Sequence, residues 1–225
     1  MSENLTCELT ENLIEFCENR RRVYALLSRC YEKELDAAFA SDFAAAPALL
    51  SDDKALAEGF ALLQSDLSNC SEDDLERFAV SFNRVFFGMG PRTAQKAFPY
   101  ESVYTSSSGL MMQDAYAQVR TLYHAMRFAK NPDFPEPEDH LAVELAFMAR
   151  LCDVAVEALR ADDAAAVEAA LSAQLSFLRD HLLNWIDRFA VDAKKADGGG
   201  FYGDLAAFTQ AYLEGDVDAV AEVVE

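Results

Sequence analysis

The sequence predicts an all-α protein, a single globular bundle of roughly ten helices. The first observation is that apolar residues recur at three- and four-residue steps through most of the 225-residue chain, which is the period of an amphipathic helix. The second is that the alternating pattern of a β-strand hardly occurs, apart from a few residues near Val103. With 52% apolar residues, the chain is long enough to bury a sizeable core.

The N-terminal part divides into helices at recognisable starts and stops. Residues 14–35 form the first periodic stretch, and residues 42–67 fit one or two shorter helices around Pro47 and Gly59. Ser71 is followed by three acidic residues, which is typical of a helix N-terminus. We expect that helix to end at Gly88 and to carry one apolar face, formed by Leu75, Phe78, Phe82, Val85 and Phe86.

The rest of the chain alternates between loops and helices. Residues 88–109 form the longest predicted loop, which joins an N-terminal half (about 1–90) to a C-terminal half (about 110–225) of one domain, 1–225. We expect helices over 110–129, after Pro137, over 164–190, and over 201–225 with a break at Gly215-Asp216. Residues 131–137 form a second loop. It is a candidate hinge for a domain-swapped dimer, and a monomer is the alternative.

The composition limits the classes of partner. A net charge of -20 repels nucleic-acid phosphate and anionic lipid and favours basic partners. The sequence shows no apolar run of the roughly 18 residues that a membrane span needs and no secretory leader pattern, so we expect no direct membrane insertion. Five cysteines without a C-x-x-C pair argue against a disulfide framework. These features predict a cytoplasmic protein.

Motifs for catalysis are missing from the sequence. It has no phosphate-binding glycine loop, no nucleophile elbow and no paired E-x-x-H motif of the di-iron type. We therefore predict no catalytic residues, no cofactor site and no metal site. The alternative is a helical enzyme, a weak nucleotide hydrolase or a metal-dependent hydrolase that uses Asp139 and His140 as its base pair.

Two stretches place polar side chains on apolar helices. Residues 135–140 bring two prolines, three carboxylates and His140 to a point where a loop becomes a helix. That pattern fits an ordinary helix start with a buried, hydrogen-bonded histidine. Further along, Gln174, His181 and Trp185 share one helical face with aromatic residues. Gln174 and His181 either lock this helix to a neighbour, such as the region around His140, or line a cleft.

Four elements, in this order, resemble the TorD/DmsD family of redox-enzyme maturation chaperones. The first is F-N-R-V-F-F-G at 82–88, and the second is P-Y-E-S-V-Y at 99–104. The third is E-P-E-D-H-L at 136–141, followed by Glu144, Leu145, Phe147 and Met148. The fourth comprises Gln174, Phe177, His181-Leu182 and Trp185, with Phe201-Tyr202 beyond them. The resemblance covers roughly residues 80–225. Where the family often has tryptophan after the first element, this chain has Met89-Gly90.

The resemblance implies a chaperone without catalytic activity. Such proteins bind the twin-arginine signal peptide, and the body, of a molybdopterin-dependent reductase subunit of the dimethyl sulfoxide or trimethylamine N-oxide type. They aid cofactor insertion and hold back export until folding is complete. If the peptide site of the family is transferred to the matching positions of this chain, its groove would be lined by Phe82, Val85 and Phe86 and flanked by Tyr104. Its polar rim would comprise Glu136, Pro137, Asp139 and His140, with Glu136 or Asp139 as the arginine partner.

Overall fold

The computed structural model describes residues 2–49, 51–89 and 96–224, and this part of the chain is all-α. It contains ten α-helices and one 3-10 turn at Leu182–Asn184. The prediction of an all-α bundle of roughly ten helices is confirmed. The helices are α1 (Ser2–Glu32), α2 (Ala37–Ala44), α3 (Lys54–Leu67), α4 (Glu72–Phe87), α5 (Glu101–Thr105), α6 (Asp114–Ala125), α7 (Leu141–Arg160), α8 (Ala164–Asp180), α9 (Ile186–Asp197) and α10 (Phe201–Val224).

Helix α7 lies at the centre of the bundle and packs mainly against α1 and α8. Its first turn follows Pro137, and most of its length is buried. One hydrophobic cluster extends from Tyr24 in α1 to Val220 in α10 and includes residues of α4, α7 and α9. The two halves proposed from the sequence therefore contribute to the same core.

Helix α4 begins and ends where the sequence predicts. Ser71 caps its N-terminus, and Asp74 completes a reciprocal capping box by accepting the backbone N–H of Ser71 at 2.9 Å. Gly88 ends the helix in the left-handed conformation, with φ of 63°, which glycine adopts without steric cost. The predicted apolar face points inwards, with Phe82, Val85 and Phe86 buried.

A buried polar network ties α1 to α8 and α10. The guanidinium of Arg20 donates to both carboxylate oxygens of Asp216, at 2.6 and 2.8 Å, and also to the side-chain oxygen of Gln174. The hydroxyl of Tyr24 donates to Asp216 as well. Gln174 in turn donates to the backbone oxygen of Leu151 at 3.1 Å, so it locks α8 to its neighbours, as one of the two sequence-based alternatives predicted.

Three boundaries differ from the predictions. The loop predicted over 88–109 contains α5, and its residues 90–95 lie outside the described part of the chain. The helix predicted over 164–190 is interrupted, because α8 ends at Asp180 and α9 begins at Ile186. The break predicted at Gly215-Asp216 is wrong, because α10 is continuous. None of the described helices combines the length and apolarity that crossing a bilayer requires.

Candidate functional site

Three of the four family-like elements meet at the start of α7. The backbone N–H of Leu141 donates to Pro99 at 2.8 Å, and that of Glu101 donates to Asp139 at 3.0 Å. Tyr100 and His140 form an isolated antiparallel bridge between the two segments. The N–H of Ala97 donates to the backbone oxygen of Val85 at 2.8 Å, which joins α4 to the same assembly. Residues that are far apart in the sequence therefore form one structural unit.

His140 is buried and caps α7. Its side chain is 2% exposed, and its Nδ1 accepts the backbone N–H of Ala142 at 3.1 Å. The imidazole lies edge-on to Tyr100 and Phe134, with ring centroids 4.9 and 5.0 Å away. Burial, with a smaller effect of the nearby Lys130 charge, lowers the pKa of His140 to about 3. His140 is thus neutral with its proton on Nε2, and it is not placed as the exposed base that the enzyme alternative requires.

Asp139 belongs to a group of three buried acidic side chains that we call the acid cluster: Glu101, Asp139 and Glu144. Oδ2 of Asp139 accepts the backbone N–H of Ser102 at 3.1 Å. Desolvation by burial raises the pKa of Asp139 and, more strongly, that of Glu144, and the charge of Glu101 raises both further. Asp139 was predicted as part of a polar rim, whereas in this conformation it lies inside the protein.

His181 connects the fourth family-like element to the acid cluster. Its Nδ1 lies 2.9 Å from Oε2 of Glu101, and Asn184 donates to Oε1 of the same carboxyl at 3.2 Å. Trp185 stacks on Tyr104 with ring centroids 5.4 Å apart. His181 therefore locks the end of α8 to α5, next to the segment around His140 as one alternative predicted.

The predicted groove residues of α4 are core residues in this conformation. Phe82 and Phe86 pack on Tyr202, with ring centroids 5.5 and 5.3 Å away, and Phe86 also stacks on Phe189 at 6.0 Å. Val85 is fully buried beside them. Phe189 also touches Tyr104, at 6.2 Å, so the aromatic packing continues from α4 to the acid cluster. Packing against α9 and α10 covers these three positions in this conformation, and their role in binding stays a prediction.

The remaining candidates, Tyr104, Glu136 and Pro137, are half-buried. The carboxylate of Glu136 accepts the hydroxyl of Tyr100 at 2.5 Å. The ammonium of Lys130 donates to the backbone oxygen of Glu136 and, at 3.0 Å, to that of Phe134. These three residues form the accessible edge of the site, and their role in binding stays a prediction.

Sequence reasoning missed Glu101 and Glu144 as possible functional residues. Glu144 stands inside the run Leu141–Leu145, where every other side chain is apolar and buried. A carboxyl at such a position must be neutral or paired. The acidic residue within a buried apolar run is therefore the sequence feature that could have identified Glu144. Glu101 carries no comparable signal, because it follows a loop and is buried only by tertiary packing.

Two open clefts lie away from the acid cluster. One of about 590 Å³ adjoins α4 and the start of α10, and its walls carry charges of both signs, including Asp73, Glu76, Arg77 and Arg84. The other, of about 310 Å³, lies between α1, the α7–α8 turn and the end of α10. Its lining is mostly apolar, with Asp162, Asp163 and Glu168 at the edge. Among the described residues no group of three metal-ligating side chains is arranged to hold a metal ion.

Comparisons with known proteins agree with this architecture. The family model described as nitrate reductase delta subunit matches residues 50–191, which is more than half of the chain. A chaperone protein TorD of Vibrio cholerae is 31% identical over 220 residues, covering 92% of this chain and 94% of its own length. The chaperone protein TorD of Photobacterium profundum is 37% identical over 152 residues, covering 64% and 68%. That of Aliivibrio fischeri is 29% identical over 221 residues, covering 93% and 98%.

The relatives are named as chaperones, and the match covers both the segments that converge at the start of α7 and the helices that hold them. The chain therefore belongs to the TorD family of redox-enzyme maturation chaperones, which are not enzymes.

Proposed function

We propose that this chaperone binds the twin-arginine signal peptide of a molybdopterin-dependent reductase subunit of the dimethyl sulfoxide or trimethylamine N-oxide type. Binding takes place in the cytoplasm, aids cofactor insertion and holds back export until folding is complete. The observation that carries the proposal is the convergence of the segments at 82–88, 99–104 and 136–141 into one unit at the start of α7.

The chemistry of the ligand suits this unit. A twin-arginine peptide carries two guanidinium groups followed by an apolar stretch. Carboxylates bind guanidinium through two parallel hydrogen bonds, and an apolar segment is held by burial against non-polar side chains. The unit supplies both. Glu136 and Asp139 accept hydrogen bonds from Tyr100 and Ser102, and Tyr104 of the same segment is joined to the aromatic residues of α4 through Phe189. A net charge of -20 would add long-range attraction for a cationic peptide.

The candidate site residues fall into two groups, according to whether a peptide can reach them in this conformation. Tyr104, Glu136 and Pro137 are within reach of a peptide in this conformation. The other five candidates (Phe82, Val85, Phe86, Asp139 and His140) are buried. A peptide would touch Asp139 and His140 only after the segment 96–105 moves, and the three α4 residues only after α9 and α10 also move. We therefore propose that the accessible edge makes the first contact and that the buried residues complete the site.

The direct test is a titration of the purified protein with a labelled twin-arginine signal peptide. We expect saturable binding that weakens about tenfold or more when both arginines are replaced by alanine, since each charge-assisted hydrogen bond contributes about 1.5–3 kcal/mol. Binding that is absent, or that is indifferent to the arginines, would contradict the proposal.

A receptor variant tests where the peptide binds. Asp139→Asn keeps the size and shape of the carboxyl, and His140→Asn, although smaller than the imidazole, retains a residue that can cap α7. We expect peptide affinity to fall while the helical circular dichroism signal persists. Loss of helicity instead would show that the two residues serve only to start α7. The variant Glu222→Gln, on the exposed side of α10, is the matched control and should bind as the wild type does.

The oligomeric state belongs to the proposal as well. The connector between α6 and α7 includes residues 131–137, the candidate hinge, and it is irregular in structure. Exchange of the helices after this connector would give a dimer, and the closed arrangement gives a monomer. Mass measurement by light scattering, with and without the peptide, distinguishes the two.

A further inference from the structure

The acid cluster has more negative groups than the surrounding structure balances. Glu101, Asp139 and Glu144 are each at most 1% exposed. Among the described residues, His181 is the one potential cation that forms an ion pair with any of the three. A buried carboxyl ordinarily has a cation or several hydrogen-bond donors, because desolvation of its charge is costly.

Four polar atoms at the cluster have no hydrogen-bond partner among the described residues. They are Oδ1 of Asp139, Oε1 and Oε2 of Glu144, and Nε1 of Trp185. The Glu101 carboxyl and the Trp185 indole lie close enough to Glu144 to shift its pKa, Glu101 raising it and Trp185 lowering it, but no hydrogen bond of ordinary geometry joins either group to it. Unpaired buried acceptors are uncommon in native proteins and need a reason.

A proton on Glu144 accounts for the stability of the conformation in which the acid cluster is buried. Burial, with a further effect of the Glu101 charge, raises the pKa of Glu144 well above its usual range. The titratable groups that interact with Glu144 are Glu101 from α5, Asp139 from the loop before α7 and Tyr123 from α6, and His181 after α8 pairs with Glu101. Without a cation, Glu144 therefore keeps its proton. The Glu144 carboxyl is neutral until a cationic group enters the acid cluster.

We propose that Glu144, together with Asp139, receives a guanidinium group of the bound peptide. This inference rests on the proposed function and identifies its arginine-binding carboxyls. Asp139 and Glu144 interact electrostatically and together have three carboxyl oxygens without a hydrogen-bond partner, which are the acceptors that a guanidinium with its five donors requires. Glu136 fits this role less well, because its carboxylate already accepts the hydroxyl of Tyr100.

Entry of the guanidinium requires that α5 moves. This helix has only five residues, and it is held to the start of α7 by the backbone N–H groups of Glu101 and Ser102, which donate to Asp139 at 3.0 and 3.1 Å. On its other side lies the irregular segment 106–113, where Leu110 and Met112 are mostly exposed. His181 and Asn184 also bind Glu101, and Trp185 stacks on Tyr104, so a peptide that opens α5 must replace these contacts as well.

Proton release is the measurable consequence. When the guanidinium enters, the neutral carboxyl of Glu144 ionises, and its proton passes to the solvent. Binding of a twin-arginine peptide should therefore release up to one proton, and the affinity should rise with pH, by at most about tenfold per pH unit, as long as Glu144 of the free protein is protonated. Calorimetric titration in two buffers with different ionisation enthalpies measures the proton count directly.

The variant Glu144→Gln separates this carboxyl from the other ionisable groups of the acid cluster. Glutamine has the shape of the neutral acid, so the variant should fold with a thermal midpoint at or above that of the wild type. We expect peptide affinity to fall about tenfold or more, and to show no rise with pH. Glu222→Gln, the exposed control of the same substitution, should retain wild-type affinity and proton release.

The outcomes distinguish this inference from the proposed function. If the peptide binds the wild type without proton release, or Glu144→Gln binds with unchanged affinity and pH dependence, the inference is wrong while the proposed function stands. If no twin-arginine peptide binds at all, both fail. The number of protons that the wild type releases on peptide binding tests the inference even if the variant does not fold.

Discussion

At the scale of single residues, His140 links the stability of the fold to pH. Its pKa is about 3 in the folded protein and about 6.5 in an unfolded chain. As pH falls below 6.5, the unfolded state takes up a proton that the folded state does not bind. The contribution of a neutral His140 is therefore complete above pH 6.5 and is lost progressively towards pH 3.

The variant His140→Asn tests this linkage, because asparagine can also cap a helix but does not titrate. We expect the free energy of unfolding of the wild type, relative to the variant, to decrease by up to about 1.4 kcal/mol per pH unit below pH 6.5. Urea unfolding of both proteins at pH 7 and pH 5 measures the difference, and groups common to both cancel. Parallel stability curves would show that the pKa of His140 is the same in the folded and unfolded states.

The residues around His140 also show how far the sequence leads. The prolines and acids at 135–139 correctly predict the start of α7, since helix starts depend on local chemistry. The burial of His140 depends on the rings of Tyr100 and Phe134. Tyr100 lies forty positions earlier in the sequence. Local patterns do not encode that contact. The acid cluster eluded prediction for the same reason, since α5 supplies Glu101 and α7 supplies Glu144.

At the scale of helices, α10 continues through the glycine where the sequence predicts a break. Gly215 weakens a helix locally, since glycine costs about 0.5–1 kcal/mol relative to alanine in a helix interior. The next residue, Asp216, is fixed by Arg20 and Tyr24, so tertiary hydrogen bonds hold α10 together where the local preference is weak. Conversely, the apolar periodicity of a helix continues across residues 180–186, yet the helix is interrupted there by a 3-10 turn. His181 and Asn184 bind Glu101 at this interruption.

Gly215→Ala should therefore stabilise the protein by about 0.5–1 kcal/mol. A methyl group at this position would meet no atom within 4 Å, so the gain in helix preference has no steric cost. Gly203→Ala, also in α10, is the contrasting variant, because its methyl would lie 3.2 Å from Cα of Lys194. Chemical unfolding should show a higher midpoint for the first variant and no gain for the second. Equal gains would mean that the contact at Gly203 relaxes freely.

At the scale of the whole molecule, long-range packing decides what the sequence leaves open. The fold class follows from periodicity along the chain, and the family-like elements follow from local motifs. Their arrangement does not, because α4, α5 and the start of α7 meet through backbone bonds such as Ala97 to Val85 and Leu141 to Pro99. The same packing turns the predicted groove of α4 into core. The site is therefore closed in this conformation, and the proposed entry of a guanidinium into the acid cluster requires that α5 moves.

The net charge of -20 gives a prediction that involves the entire surface. A twin-arginine peptide should associate faster at low ionic strength, because the field of the protein steers cations towards it. Salt shortens the range of that field to about 8 Å at physiological ionic strength and about 3 Å at 1 M. We expect the association rate constant to fall about tenfold or more between about 10 mM and 500 mM salt, while the dissociation rate constant changes less.

Stopped-flow fluorescence with a labelled peptide measures both rate constants. A peptide in which glutamine replaces both arginines keeps the apolar stretch and loses the charges, so its association rate should depend only weakly on salt. Equal salt dependence of the two peptides would assign the effect to the apolar stretch. An association rate that is indifferent to salt for the arginine peptide would show that opening of α5, rather than encounter, limits binding. In that case the rate would level off as peptide concentration rises, which the same experiment detects.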